Sequence, residues 1–185
     1  MSLNARLQPW SGSGFRHLPA TVPESGVLDF TYLGRARDNR WSDYGERTLY
    51  LAGDIGVVIS EWGRHLDSAR TLALAKQTQE RIVYRLDVVL DRLLDIRDPV
   101  VWADLHLANA PMRFLDSAIA RATARFIRTT TTAQGLFVPS VAMLDKLGRG
   151  NLVLFIEKLP ADITHVISHI QVEGPLSVSS GYSPA

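Results

Sequence analysis

Apolar and polar positions alternate most clearly in "RTLYLAGD", where Leu49 and Leu51 interleave with Thr48 and Tyr50. That period-two pattern predicts a half-buried strand. Asp54 then stands where a helix cap is needed, ahead of "IGVVISEWGRHL",. On such a helix Glu61 and His65, four residues apart, share a face. Gly56 and Gly63 weaken it. "SARTLALAKQTQ" reads as a further helix or a long connection, and "RIVYRLDVVL" as a strand. Asp98-Pro99 places a cap and a first-turn proline before "VVWADLHL". Pro111 opens another predicted helix, "PMRFLDSAIARATARFI", with Phe114, Leu115, Ala118, Ile119 and Ala122 at helical spacing,. "GLFVPS", "NLVLFIEKL" and "ITHVISHIQV" are later strands, with Gly148 and Gly150 marking a turn before the second,.

Strands and helices mix without a regular βαβ rhythm, which predicts an α+β fold with one mixed sheet and helices. The 185 residues fit a single domain,. The first 26 residues and the tail "GPLSVSSGYSPA" are rich in Ser, Gly and Pro. The expected division is therefore an irregular segment over 1–26, a domain over 27–173 and an irregular tail over 174–185.

Composition narrows the function. With no cysteine, the chain has no disulfide, thiol catalyst or thiolate metal site, as suits a reducing cytoplasm. Lys+Arg 20 against Asp+Glu 19 leaves a charge of +1, so there is no broad basic face for direct nucleic-acid binding. Arginine nevertheless clusters at Arg35, Arg37, Arg40 and Arg47, a local positive charge that suits a small anion better than a polymer,. No apolar run is long enough to span a bilayer. The opening "MSLNARLQPWSGSGF" has no apolar signal region, so a cytoplasmic location without a membrane is expected.

Among chemical motifs, "AGDIGVV" lacks the third glycine of a dinucleotide fingerprint and the lysine of a P-loop, so it reads as a simple turn. His165 and His169 fall in a predicted strand with no carboxylate trio nearby, and no metal is expected. Ser140 ends an apolar strand without a G-x-S-x-G elbow around it. Arg40, Tyr50, Glu61 and His65 form the informative set. Spacing alone favours an exposed salt bridge beside a strand tyrosine. Facing one cleft, the same residues would offer a forked cation for phosphate, a flat wall for a ring, and a carboxylate for positive charge developing on a sugar.

The order of these residues resembles the RES-domain family, named for an Arg, a Glu and a Ser. Arg40-Trp41-Ser42, Gly45, "LYLA" at 49–52 and Glu61 fill the places of its core motif. "LLDIRDP" and "GLFVPSVAMLDKLGRGNLVLF" resemble later segments, with Ser140 at the family serine. Ser42 stands for the usual Asn, and Ser60 for a small apolar residue. The resemblance implies a fold similar to ADP-ribosyltransferases and the toxin half of a bacterial toxin–antitoxin pair. It implies NAD as substrate rather than cofactor, degraded by hydrolysis or phosphorolysis at the nicotinamide–ribose bond. ADP-ribosyl transfer to a protein, or nucleotide binding without cleavage, are the alternatives. Arg40 would hold the pyrophosphate and Tyr50 pack on the nicotinamide or its ribose. Glu61 would stabilise the sugar cation, with His65 and Ser140 lining the site. The implied partner is a helix-turn-helix (Xre-type) antitoxin that blocks the site. A homo-oligomer is left open.

Overall fold

The structure, a computed structural model, describes residues 2–37, 39–68 and 80–176. Six strands carry the fold: β1 (Gln8–Pro19), β2 (Thr48–Ala52), β3 (Arg81–Asp95), β4 (Gly135–Pro139), β5 (Gly150–Phe155) and β6 (Ile167–Pro175). Three α-helices accompany them: α1 (Ile55–Ser68), α2 (Pro99–Asp104) and α3 (Ser117–Thr130). The sheet order is β1-β2-β5-β4-β3-β6, with β1 also paired to β3. Pairing therefore runs round in a ring of five strands, and β6 lies outside it on β3. The β3–β4 pair is parallel and the others are antiparallel. This is the mixed α+β architecture that the sequence pattern predicts.

Long β3 makes the ring possible. β1 lies along one side of it, while the other side is taken first by β6 and then, at Leu93–Asp95, by β4. The N-terminal segment expected to be irregular over 1–26 thus holds a 3-10 turn (Leu3–Arg6) and a full strand. Its glycines concealed the strand. A Cβ on Gly14 would lie 2.8 Å from the Leu51 side chain, so the glycine there admits a neighbour's bulk rather than breaking the strand,. At the other end β6 runs on to Pro175, past the tail's expected start at 174. The segment "SARTLALAKQTQ" lies, after Ser68, outside the described residues, as do 177–185.

β2 is covered on both faces, not half-buried. Leu49 and Leu51 enter one apolar cluster with Leu86, Leu90, Leu152 and Leu154. Tyr50 points the other way, against a cluster built from Trp41, Phe114, Ile127, Val153 and Phe155. A strand inside a closed ring has layers on either side, so alternation no longer separates core from solvent.

The helices start where caps allow. Asp54 Oδ1 accepts the Val57 N–H at 3.0 Å, and Asp98 Oδ1 accepts that of Val100 at 2.8 Å. Pro111 opens only a 3-10 turn (Met112–Leu115). Asp116, which accepts from the N–H groups of Ala118 and Ile119, is the cap of α3. The later start shifts the buried face to Ala120, Thr123, Ala124, Ile127 and Arg128. Leu115, Ala118 and Ala122, expected on the apolar stripe, are exposed.

Candidate functional site

The chain turns sharply from β2 into α1, and that turn sets the site. Gly53 N–H donates to the Gly150 carbonyl at 2.8 Å, and a Cβ there would meet the same oxygen. "AGDIGVV" is therefore a turn packed against β5. The helix that leaves it carries Glu61 over the ends of β4 and β5. Ser140, the residue after β4, donates from Oγ to Glu61 Oε1 at 2.6 Å. Asn151, paired in register with Ala52 and Val138, donates from Nδ2 to the same oxygen at 3.2 Å. Both bonds fall on Oε1, so among the described residues Oε2 is left without a hydrogen bond.

Arg40 is anchored from behind. Its NH1 donates to the carbonyls of Phe114 and Leu115, each at 2.8 Å, in the turn before α3. Burial lowers its pKa from the ordinary guanidinium value, the nearby Arg64 lowers it further, and Glu61 works in the opposite sense. It remains a cation at neutral pH. Among the described residues no ion pair joins Arg40 to Glu61. The exposed salt bridge that spacing alone favoured is absent there, and the two charges have separate supports.

Tyr50 lies between them in sequence and shares their cavity. Its hydroxyl accepts the Trp41 N–H at 3.1 Å and lies 2.9 Å from Ser42 Oγ. Burial pushes its pKa up to about 12, so the phenol is neutral at physiological pH. Tyr50 lines the cavity as a neutral phenol.

These side chains border one cavity of about 570 Å³, whose walls include Arg16, Arg40, Tyr50, Glu61, Arg64 and Asn151. That is within the usual size of small-molecule and cofactor sites. Of the arginine cluster at 35–47, only Arg40 reaches it. Arg35 stacks on Tyr32 and Arg37 on Tyr44, at 4.7 and 5.2 Å from the ring centres. Arg16 on β1 and Arg64 on α1 supply the other cations, and sequence reasoning missed both. Arg16 was hidden with β1, and Arg64 stands on the predicted helix with no motif to mark it. Asn151 had a signal: it is the lone polar residue in "GNLVLF".

Ser140 needs a correction. It is fully buried and does not line the cavity, because its hydroxyl is spent on Glu61 and on accepting the Ala142 N–H at 3.2 Å. Its part is to hold the carboxylate. His65 lies one helical turn after Glu61, with its side chain outside the described residues. His165 sits in a 3-10 turn, 3.9 Å from Asp162, and His169 pairs in register with Asp87 on β3. Among the described residues no group of three or more His, Asp or Glu converges as a metal site. No described helix is long and apolar enough to cross a membrane.

The RES domain matches residues 19–177. No curated protein matches the chain. Among solved structures, the chain is similar to one described as the crystal structure of the M. tuberculosis MbcT-MbcA toxin-antitoxin complex. The identity is 19%, the TM-score 0.68, and the match covers 93% of this chain and 90% of that one. At that identity the likeness is one of fold.

Proposed function

The chain belongs to the RES-domain family, and from that premise we propose that it is a toxin enzyme that cleaves the nicotinamide–ribose bond of NAD. The observation that carries the reading is a carboxylate held without a cationic partner, among the described residues, in a cavity that also contains three arginines. Glu61 is half-buried and, among the described residues, spends its charge on no ion pair, so that charge is open to a use. Breaking this bond gives it one.

As the bond breaks, its electron pair passes to the nicotinamide nitrogen and positive charge develops on the ribose. Glu61, fixed through Oε1 by Ser140 and Asn151, offers Oε2 to that charge. A group already oriented loses little to reorganisation when the charge appears. Arg40, fixed through NH1, keeps its other N–H groups for the diphosphate. Tyr50 packs against the nicotinamide or its ribose. Water or phosphate then adds to the sugar carbon, giving ADP-ribose or ADP-ribose 1″-phosphate. Transfer to a protein acceptor follows the same first step.

Incubation with NAD and analysis of the products tests the reading. Glu61→Gln keeps the shape and removes the charge, and should slow NAD loss by on the order of 10²–10³. Near-normal turnover in that variant would overturn the assignment. Unchanged NAD with the native chain would leave only nucleotide binding.

A toxin of this kind needs restraint in its own cell. We propose a helix-turn-helix antitoxin that occludes the cavity.

A further inference from the structure

A second cavity, of about 660 Å³, opens beside the first. Arg16 and Leu18 of β1 line both, so their side chains stand where the two cavities adjoin. Residues 16 and 18 of a strand share one face. The far side is the segment after β1, folded back onto it. Arg16 NH1 donates to the Val27 carbonyl, and the Phe30 ring centre lies 5.9 Å from the guanidinium carbon. Val27 itself is fully buried, which pins the segment.

The lining is specific in character. Val22, Pro23 and Leu33 are apolar, and Tyr32 is 67% exposed, with Arg35 stacked on its ring. Asp29 adds a carboxylate, one oxygen of which accepts the Thr31 N–H at 2.9 Å. Apolar and aromatic walls accept a flat heterocycle, and a carboxylate accepts from sugar hydroxyls. Across both cavities the order of chemistry is aromatic and carboxylate, then cation, then aromatic and carboxylate. Respectively these are Tyr50 and Glu61, Arg16, and Tyr32 and Asp29. A dinucleotide has the complementary order: ring and sugar, two phosphates, sugar and ring. Among the described residues Arg16 uses one of its five N–H groups in a hydrogen bond, which leaves donors for the phosphates,.

We propose that the second cavity receives the adenosine half of the dinucleotide, whose diphosphate passes Arg16 on the way from the Glu61 cavity. This rests on the NAD reading above, and adds where the half of the substrate that does not react is held. Binding energy from that half is available to orient the half that does.

Two substitutions at exposed positions test it. Ser25→Trp fills the cavity, and Tyr32→Ala removes its ring wall. ADP-ribose binding, measured by calorimetry, should weaken about tenfold in each, the scale of losing a stacked base. The kcat/KM for NAD should fall by a similar factor, while cleavage of nicotinamide mononucleotide, which lacks the adenosine, stays unchanged. Undiminished ADP-ribose affinity in Ser25→Trp overturns the proposal, as does failure of the native chain to bind ADP-ribose. Equal losses on NAD and the mononucleotide also overturn it, since they would mark general damage. Should the native chain bind ADP-ribose, lose it in Ser25→Trp and yet cleave no NAD, the cavity assignment stands and the catalytic reading falls.

Discussion

At the scale of single residues, Tyr50 shows how burial sets a role. Its phenol is withdrawn from water and its pKa stands near 12, against 10.0 for the ordinary group. In the unfolded chain it ionises from about pH 10, while the folded chain holds the proton longer. The unfolded state therefore binds fewer protons between these values, and stability falls as pH rises through them. Two pKa steps correspond to about 3 kcal/mol. Urea titrations at pH 8, 10 and 12 should show the native chain losing that much more than Tyr50→Phe, which has no proton to release. Parallel losses in both would mean that the phenol ionises freely. Reading the sequence singled out Arg40, Tyr50 and Glu61 because each stands in a local pattern, and the three line one cavity. It could not find what supports them. Carbonyls at 114 and 115 brace Arg40, and a serine and an asparagine from two distant strands brace Glu61. Those partners are set by the ring of strands, and no spacing along the chain encodes them.

Among the elements, α3 shows why pattern reading fails by phase. Its stripe was placed from Pro111, but the capping oxygen of Asp116 begins the helix later and turns another face inward. Beside that face, and entering it only at Arg128, runs a row of arginines. Arg121 donates to the Asn39 carbonyl at 2.7 Å, Arg125 pairs with Asp43 and Glu46, and Arg128 reaches Glu46, Glu157 and Thr48. At spacings of four and three they share a side of the helix, and together they fix the segment from Asn39 to Thr48 that presents Arg40. They differ in depth. Arg128 is 7% exposed, stacked on Phe155 at 4.3 Å. Its Nε lies 3.0 Å from a Glu157 oxygen, close enough for an ion pair yet not aligned as a hydrogen bond. Arg128→Ala removes packing and leaves Glu46 short of a partner, so it should cost about 2–4 kcal/mol in urea unfolding. Arg125→Ala, at an exposed pair, should leave the midpoint nearly unmoved. Equal effects from the two would show that depth does not govern this row. β1 was missed for a related reason. Its glycines and serines look like a loop, and its stability comes from pairing along β3, which is remote in sequence.

For the whole molecule the balance of charge decides what can enter the cavity. The chain carries +1 overall, so the attraction is local: Arg16, Arg40 and Arg64 line the cavity, with Glu61 as the one carboxylate among its described lining residues. On the proposed function, an antitoxin that occludes this cavity competes for the cations that a diphosphate would use. Its inserted segment should therefore carry a carboxylate or a chain terminus, since a guanidinium pairs strongly with either. Two consequences follow. Inhibition by the partner should weaken as salt rises from about 50 to 500 mM, because partly exposed charges are screened over that range. Arg40→Ala should weaken the partner and NAD together, each by about tenfold or more, the scale of one lost charge-assisted hydrogen bond. Co-expression with the product of the neighbouring gene, then NAD competition on the purified complex, measures both. If the partner stays bound while NAD turnover is undiminished, occlusion is wrong. If Arg40→Ala weakens NAD alone, the partner grips another surface, and the arginines serve the substrate only.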